Sequence, residues 1–504
     1  MIADQYDIVI IGSGMGGLVC GDILSREGYR VCILEKNKQI GGCLQTYVRD
    51  RVIFDSGVHY LGGLDKGQNL YQIFKYLGIM DKLKLRKMEV DVFDKIIMDN
   101  DDKEYVFAQG YENFIKKLLL DFPSEEKALR LYCEQIKDVC GRFPLYNLRA
   151  GGDLTEKATV MEIDTRAFIE SITDNKKLQE VLVGNNMLYA GQPGKTPFYV
   201  HAMILNSYIE SSWKCINGGS QIGQLMAVNI RSRGSVIKRN CGVNKIVVKD
   251  GKVDHVTTDD GTEVYGKHFI SNIHPVKTLE MTDTGLIKNA FRNRVKSLEN
   301  SIANFTVNII FKENTFKYFQ HNYYYFKEGH VWTQGEYTEE DWPRGYVIFL
   351  SPGKNKEYAE AMTVLAYMRY DEVKRWENTF NTVSVTDDRG RDYEAFKKFK
   401  AEKLIDRVGE KFPGLKESIK TYYTATPLSY RDYIGNDDGS MYGIVKDYRD
   451  PVKTLISPRT KLPNLFFTGQ NLNLHGILGA AMSGLVTCID LMGDESIVEK
   501  IKNA

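Results

Sequence analysis

The amino-acid sequence predicts an α/β protein in which a parallel sheet covered by helices is joined to a mixed region of sheets and helices. Three stretches carry this prediction: a strand–turn–helix–strand pattern at 6–35, short strands with Asp-Gly turns at 235–273, and a strand followed by a helix of small residues at 462–484. The first pattern is the unit from which parallel sheets are built, because its helix returns the chain to the same edge of the sheet.

The first of these stretches contains a glycine motif. Residues 6–11 are a short apolar run, typical of a buried parallel strand, and the next six, Gly12-Ser13-Gly14-Met15-Gly16-Gly17, fit G-x-G-x-x-G. The first glycine permits a tight turn, the second lets the backbone approach a pyrophosphate, and the last lets the helix pack closely on the strand. A second strand ends at Glu35, which is placed to accept hydrogen bonds from an adenosine ribose. The combination predicts a Rossmann-type dinucleotide site.

Composition and charge exclude several classes of protein. The 504 residues suffice for two or three domains, and 67 Lys and Arg against 66 Asp and Glu leave a net charge of +1, so we expect no nucleic-acid partner. The eight cysteines lack C-x-x-C spacing, which predicts buried thiols in a reducing compartment and no metal site. We expect a cytoplasmic protein, because the N-terminus has no basic leader and no run reaches about 18 uninterrupted apolar residues.

The residues after Glu35 indicate which dinucleotide is bound. The chain continues with Gly41-Gly42-Cys43, Thr46 and the segment FDSGVHY at 54–60, where a nicotinamide dehydrogenase usually begins another strand–helix unit. A Gly-Gly pair followed by D-x-G-x-H resembles the FAD-dependent flavoproteins of the two-dinucleotide-binding group, which includes amine oxidases, phytoene desaturases, carotenoid isomerases and retinol saturases. The segment FDSGVHYLGG is most similar to the retinol saturase and carotenoid isomerase branch. The resemblance implies FAD as the cofactor.

The resemblance also implies how the chain is divided. It predicts a glutathione-reductase-like FAD domain that is discontinuous in sequence, together with a substrate domain of mixed sheets and helices. Within the second domain, the loop-rich aromatic segment 424–443 resembles the family segment that closes over the substrate. The expected FAD domain comprises residues 1–65, 205–280 and 456–504, and the expected substrate domain comprises 66–204 and 281–455.

The C-terminal end carries a second cofactor-binding signature. A short strand leads through Gly469-Gln470-Asn471 into a helix beginning near Gly476, whose small residues let the backbone lie against a flat ring. The positive end of this helix stabilises negative charge on a reduced flavin. The family usually has an acid where this chain has Asn471, an amide that still bonds ribityl or phosphate groups. The resemblance implies these cofactor-binding residues: Gly12, Ser13, Gly14, Met15, Gly16, Gly17, Glu35, Lys36, Gly41, Gly42, Thr46, His59, Tyr60, Val243, Gly469, Gln470, Asn471, Gly476, Ile477 and Ala480.

The chain has one glycine fingerprint, so we expect no bound NAD(P)H domain. Electrons are then exchanged with a separate partner: NAD(P)H, a quinone, another redox protein or oxygen. In the desaturases, saturases and isomerases that the chain resembles, flavin N5 exchanges hydride with a substrate carbon. This implies action on C=C or CH–CH bonds of an apolar polyene or isoprenoid-like lipid. Two alternatives stay open: an FAD-dependent amine oxidase, and a non-enzymatic lipid-carrying protein such as the Rab GDP-dissociation inhibitors, which share the architecture.

The sequence shows no catalytic triad or paired-carboxylate motif, so no catalytic residue is assigned. His59 and His475 are candidate proton donors near the flavin, although a structural hydrogen bond is the simpler role for each. The basic stretch 82–87 indicates either a solvated sheet edge or a peripheral membrane contact through which a lipid substrate enters. Three tyrosines are candidate pocket walls or proton donors: Tyr430, Tyr433 and Tyr442.

Overall fold

A computed structural model describes residues 5–151 and 154–504. Two seven-stranded sheets form its centre, with a three-stranded sheet and a two-stranded hairpin beside them. The strands are β1 (Gln5–Ile11), β2 (Val31–Leu34), β3 (Thr46–Arg49), β4 (Val52–Asp55), β5 (Leu61–Gly62), β6 (Leu85–Lys87), β7 (Asp94–Met98), β8 (Tyr105–Phe107), β9 (Ser212–Cys215), β10 (Val236–Lys238), β11 (Val243–Lys249), β12 (Lys252–Thr258), β13 (Glu263–Ser271), β14 (Ala303–Phe311), β15 (Asn322–Phe326), β16 (Gly345–Pro352), β17 (Ala359–Met368), β18 (Ile419–Ala425) and β19 (Leu465–Phe467).

The helices lie between and outside these sheets. They are α1 (Met15–Arg26), α2 (Asn69–Tyr76), α3 (Tyr111–Leu119), α4 (Glu126–Gly141), α5 (Leu154–Met161), α6 (Thr165–Ile172), α7 (Lys176–Leu182), α8 (Phe198–Glu210), α9 (Ser220–Ser232), α10 (Pro275–Met281), α11 (Asn289–Lys296), α12 (Gly390–Lys411), α13 (Leu415–Ser418), α14 (Pro427–Ile434), α15 (Pro451–Thr454), α16 (Gly476–Met492) and α17 (Ser496–Lys502). No helix in the described part of the chain is long and apolar enough to cross a membrane.

The first sheet combines a parallel core with an antiparallel meander. Strands β10, β2, β1, β13 and β19 are parallel neighbours, and β11, β12 and β13 form the meander. Helix α1 packs on this sheet between α9 and α16. A Cβ on Gly484 of α16 would lie 3.0 Å from the carbonyl oxygen of Gly16, so glycine allows the two helices to approach this closely. The predicted α/β fold class is confirmed.

The second sheet is mixed and draws strands from two distant parts of the chain. Its order is β18-β14-β17-β16-β15-β7-β8, in which β15 and β7 are parallel and the other pairs antiparallel. Alternate residues of β15 face opposite sides: Tyr324 packs in the core with α4 and α8, and Tyr325 packs in the core with α12. Both sequence segments predicted to form the substrate domain therefore contribute strands to one sheet. The domain boundaries stay a prediction.

The segment 424–443 contains more regular structure than its sequence suggested. Strand β18 continues to Ala425, and Thr426 caps α14, because its Oγ1 accepts a hydrogen bond from the Leu428 N–H at 3.2 Å. Pro427 occupies the first helical position, where the missing N–H costs nothing. The expectation of a loop-rich segment is therefore wrong for 427–434, and its Thr-Pro start was the signal for a helix.

Candidate dinucleotide and apolar-substrate site

The glycine motif lies between β1 and α1. Gly12 has φ +90°, and the helix begins three residues later at Met15. A Cβ on Gly17 would lie 2.3 Å from the carbonyl oxygen of Gly12, so only glycine allows the helix to start this close to the loop. No side chain caps the helix at Gly14. The N–H groups of its first turn therefore remain available to an anionic ligand.

Glu35 fixes the other side of this loop. Its side chain is buried, and Oε2 accepts hydrogen bonds from Ser13 N at 3.0 Å and from Ser13 Oγ at 2.5 Å. Oε1 accepts a bond from Asn37 N at 2.8 Å. The adjacent Lys36 donates from Nζ to the carbonyl oxygen of Asp432 at 2.9 Å, and burial lowers the pKa of this lysine. Two charged side chains thus join the glycine loop to α14.

One cavity of about 550 Å³ connects the glycine loop, the C-terminal signature and the second sheet. This volume lies within the range of small-molecule sites. All the predicted cofactor residues line it except Gly17 and Thr46. Gly17 packs behind the loop, and Thr46 donates from Oγ1 to Ser220 Oγ at 3.0 Å. The fold therefore brings most of the predicted set together, and their contacts with a cofactor stay a prediction.

The N-terminus of α16 borders the same cavity. His475 is its N-cap residue and makes no side-chain capping bond, so the first turn has free N–H groups beside Gly476, Ile477 and Ala480. A Cβ on Gly479 would lie 2.4 Å from the carbonyl oxygen of Leu474, which shows how tightly the preceding turn closes. The turn and the helix end place backbone, rather than side chains, against the cavity.

Asn471 is turned toward the backbone of a neighbouring segment. Its Oδ1 accepts a hydrogen bond from Ile444 N at 3.1 Å, and a Cβ on Gly443 would lie only 1.9 Å from that oxygen. The amide found where the resemblance implies an acid therefore holds the 443–444 backbone. Behind it, the buried Nζ of Lys446 donates to three carbonyl oxygens, those of Thr454 at 2.9 Å, Asn471 at 3.0 Å and Leu472 at 2.9 Å.

The opposite end of the cavity is apolar and aromatic. Its walls include Met203, Tyr208, Tyr324, Phe349, Leu365 and Tyr442. The carboxylates in the described lining are those of Glu35, Asp259 and Asp437. Asp259 lies beside Gly242, and Asp437 forms an ion pair with Lys277 at 2.9 Å. The charges of Asp259 and Lys277 both shift the pKa of Lys36, which places these residues near the glycine-lined end. Among the described residues, the apolar end thus has no carboxylate in its wall.

The two predicted histidines both lie in the wall of the cavity. The ring of His59 stacks on Phe349, with centroids 4.2 Å apart and an interplanar angle of 9°. His475 Nε2 lies 3.1 Å from the carbonyl oxygen of Leu188, to which it donates. Burial lowers the pKa of each histidine to about 4, so both rings are neutral at pH 7.

Two of the three predicted tyrosines donate hydroxyl hydrogen bonds to backbone carbonyl oxygens. Tyr430 donates to the carbonyl oxygen of Ser56 at 2.8 Å, and Tyr442 donates to that of Met187 at 3.0 Å. Both phenols therefore hold backbone segments together at the cavity wall. Tyr433 also lines the cavity. No motif singled out Tyr324 or the buried Asp94 behind it, because neither residue belongs to a pattern of fixed spacing.

The glycine-lined end has the features that a dinucleotide requires. Two helix N-termini are uncapped there, the glycine positions keep side chains out of the loop, and a buried carboxylate stands at the end of the second strand. The described residues contain no group of three or more His, Cys, Asp or Glu side chains arranged for a metal ion. The residues present fit a dinucleotide.

Similarity to known proteins extends along the chain. The family of NAD(P)-binding Rossmann-like domains matches residues 10–77. The all-trans-retinol 13,14-reductase of Homo sapiens is 24% identical, covering 100% of this chain and 88% of the relative. The chloroplastic prolycopene isomerase of Daucus carota is 24% identical, covering 98% of this chain and 81% of the relative. Among solved structures, putrescine oxidase bound to putrescine has a TM-score of 0.64 at 14% identity, covering 97% of this chain and 100% of its own.

The chain is thus a homologue of proteins named retinol reductase and prolycopene isomerase. The expected resemblance to the retinol saturase and carotenoid isomerase branch is confirmed. Putrescine oxidase shares the fold, and at this level of identity the likeness extends to the fold alone.

Proposed function

We propose that this chain is an FAD-dependent oxidoreductase that acts on C=C or CH–CH bonds of an apolar polyene or isoprenoid-like lipid. The observation that carries the proposal is a continuous cavity, which has a glycine-lined end with two helix N-termini and an apolar aromatic end without carboxylates in its described wall. The reductases and isomerases to which the chain is similar are named for retinol and prolycopene, both long apolar polyenes.

The glycine-lined end is the proposed FAD site. The first turns of α1 and α16 donate N–H groups to negative charge, and Glu35 accepts hydrogen bonds from the adenosine ribose. The backbone at Val243 would contact the adenine, and the turn at 469–471 would hold the ribityl chain or phosphates. When bound there, FAD supplies two-electron redox chemistry. The walls of the apolar end would orient a substrate and exclude water.

The apolar end favours a neutral lipid over an amine. A protonated amine leaves water at a high cost unless a carboxylate or several oriented acceptors compensate its charge. The described wall offers aliphatic and aromatic side chains there, and His59 and His475 are neutral because burial lowers the pKa of each to about 4. These walls suit a polyene, which needs shape and burial rather than ion pairing.

The electron partner is proposed to be a separate molecule: NAD(P)H, a quinone, another redox protein or oxygen. A cytoplasmic location with a peripheral membrane contact is also a proposal. In the basic stretch 82–87, Lys87 forms an ion pair with Asp65 at 2.5 Å and lies 5.6 Å from the ring of Trp213, on the edge strand β6. Flotation with anionic liposomes at low salt tests the contact, and protein that stays at the bottom contradicts it.

The first experiment is the visible absorption spectrum of the purified protein, followed by anaerobic reduction and addition of retinol-like or carotenoid polyenes. We expect flavin bands that return to the oxidised form when a suitable polyene is added. Bands that respond to amines instead, with peroxide release in air, indicate an amine oxidase. A protein that neither contains nor takes up flavin contradicts the enzyme proposal and favours a lipid carrier.

A pair of variants on one strand tests the substrate end. Leu365 of β17 lines the cavity, whereas Val364 beside it faces the α12 side of the sheet. Leu365→Ala is expected to weaken polyene binding about 10-fold, because it removes roughly 1.5 kcal/mol of apolar contact, without lowering FAD content. Val364→Ala is the matched control, which lowers stability but leaves the polyene affinity unchanged. Equal polyene affinities in the two variants contradict the assignment.

A further inference from the structure

A row of buried polar side chains runs from the apolar end of the cavity into the protein. Tyr60 and Tyr324 line the cavity, and their hydroxyl oxygens lie 2.7 Å apart. The Tyr60 hydroxyl lies 2.9 Å from Oδ2 of Asp94, whose side chain is inaccessible to solvent. We call Tyr324, Tyr60 and Asp94 the polar row. It joins a carboxyl group to the cavity wall through two phenols.

More polar groups lie behind the polar row. Asn322 Nδ2 donates to Oδ1 of Asp94 at 2.8 Å, which fixes the carboxyl plane. The buried Nζ of Lys214 and both ring nitrogens of His321 have no hydrogen-bond partner in the part of the chain that the structure describes. Buried polar atoms are nearly always paired, so unpaired ones behind the polar row need an explanation other than packing. A route for protons toward Asp94 provides one.

The direction of the hydrogen bonds in the polar row depends on the protonation of Asp94. A phenol has a single O–H to donate. When Asp94 is ionised, Tyr60 donates to it and Tyr324 donates to Tyr60, so both protons point away from the cavity. When Asp94 is protonated, it donates to Tyr60, Tyr60 donates to Tyr324, and the Tyr324 O–H is free to point into the cavity. Protonation of Asp94 thus reverses the direction of both hydrogen bonds in the polar row.

We propose that the polar row delivers a proton to the substrate, with Tyr324 as the donating group and Asp94 as the residue that positions and replenishes its proton. The inference rests on the proposed function. In the reduction of a C=C bond, a bound reduced flavin would supply a hydride equivalent to one carbon, and the π electrons form a bond from the other carbon to the Tyr324 proton. The proton lost by Tyr324 is replaced from Tyr60, that of Tyr60 from Asp94, and Asp94 is reprotonated from solvent.

The surroundings of Asp94 set the pH at which the row works. Burial raises the pKa of Asp94 to about 7. The hydrogen bonds from Asn322 and Tyr60 and the charge of Lys214 lower it, but by less than burial raises it. Tyr208 also faces the carboxyl, and burial raises the pKa of this phenol too. The charge of Arg86 lowers the pKa of Lys214, and the charge of Lys214 lowers the pKa of His59 and of His321. Because delivery requires protonated Asp94, its rate falls as the pH rises through about 7.

The test uses the purified holoenzyme and the variants Tyr324→Phe, Asp94→Asn and Tyr132→Phe. Tyr132 is the matched control, because it is a buried, hydrogen-bonded tyrosine outside the cavity lining. FAD absorbance and polyene binding are measured first. Anaerobic single turnovers in D2O then give the rate against pH and the deuterium in the product. We expect Tyr324→Phe to bind both molecules and to slow the single turnover about 100-fold, the scale of general-acid catalysis.

Asp94→Asn is expected to bind FAD and polyene, but its rate should no longer fall as the pH rises through about 7. Tyr132→Phe is expected to show the same fall in rate as wild type. A Tyr324→Phe variant that reduces the polyene at the wild-type rate overturns the proposal, and so does product without solvent deuterium. Isomerised polyene that carries no solvent hydrogen has the same consequence.

Infrared difference spectra of wild type and Asp94→Asn provide a readout that needs no turnover. The C=O stretch of a protonated carboxyl is expected in wild type at pH 6, to disappear by pH 8 and to be missing in the variant. A wild type that turns over no polyene refutes the proposed function, whereas an ionised Asp94 at pH 5 refutes the polar row alone.

Discussion

Replacement of Lys446 by methionine tests whether a buried amine holds the C-terminal signature in place. The Lys446 side chain is buried, and Nζ donates three hydrogen bonds, to the carbonyl oxygens of Thr454, Asn471 and Leu472. These carbonyls belong to two segments that are distant in sequence, and one segment lines the cavity. Methionine keeps the length of the side chain and removes every donor. The variant therefore leaves three carbonyl oxygens buried without their partner.

Two opposing terms set the expected loss of stability. Three hydrogen bonds from a charged donor contribute about 7 kcal/mol together. Burial lowers the pKa of Lys446 from 10.5 to about 7, which corresponds to a cost of about 5 kcal/mol for keeping the amine charged. The free energy of unfolding is therefore expected to fall by about 2 kcal/mol in the variant, or about 2 to 4 °C in Tm for unfolding units of this size.

The pH dependence of the difference follows from the same pKa. The folded-state pKa of Lys446 lies below that of the unfolded chain, so the native state binds fewer protons between about pH 7 and 10.5. Wild type thus gains stability with rising pH across this window, whereas Lys446→Met lacks this contribution. The loss measured in the variant is therefore expected to grow from pH 7 to pH 10.

Thermal unfolding with and without FAD is the assay for Lys446, and the exposed lysine Lys453 gives the matched control Lys453→Met. We expect Lys446→Met to lower Tm and to weaken FAD binding, since the turn at 469–472 loses its support. Lys453→Met should change neither quantity. A raised Tm in Lys446→Met refutes the expected loss of stability, because the cost of burying the charged amine is then larger than the contribution of its three hydrogen bonds. Unchanged Tm and FAD affinity refute the role assigned to the amine.

Three further predictions concern the glycine-lined end of the cavity and the polar row. Gly17→Ala places a methyl group 2.3 Å from a loop carbonyl oxygen and should abolish FAD uptake, measured by absorbance, whereas Gly409→Ala, with no neighbour within 4 Å, should leave it intact. Glu35→Gln loses one acceptor toward Ser13 or the ribose, and FAD titration should show affinity about 10-fold lower. Burial raises the pKa of Asp94 from 3.8 to about 7, so the free energy of unfolding of wild type should fall by up to about 4 kcal/mol as the pH rises between these values. Urea unfolding of Asp94→Asn should not show this fall.

The cofactor half of the molecule was predictable because its determinants are local. The glycine motif, Glu35 and the Gly-Gly pair lie within 31 consecutive residues, and their spacing follows from one strand–helix–strand unit. Backbone groups form most of the glycine-lined end. The sequence there therefore needs only glycine or small residues at the positions where a side chain would fill the site. The close approach of Gly17 to the loop carbonyl shows how narrowly that requirement is met.

The substrate half was not predictable in the same way, because its contacts join residues far apart in the chain. Asp94 pairs with Asn322 in the parallel register of β7 and β15, across 228 positions, and Tyr60 meets Tyr324 across 264. No periodicity links such positions. Lys214 lies in β9, where its amine is buried. Burial of a lone charge is decided by tertiary packing rather than by local pattern.

The contact between His59 and Phe349 shows how the two halves depend on each other. His59 belongs to the D-x-G-x-H segment that follows the dinucleotide unit, and Phe349 belongs to β16 of the second sheet. Their rings stack in the cavity wall where the glycine-lined end meets the apolar end. A change at Phe349 on the second sheet therefore alters both the wall of the cavity and the packing of His59. We therefore expect β15 and β16, which carry Tyr324 and Phe349, to contain determinants of the reaction.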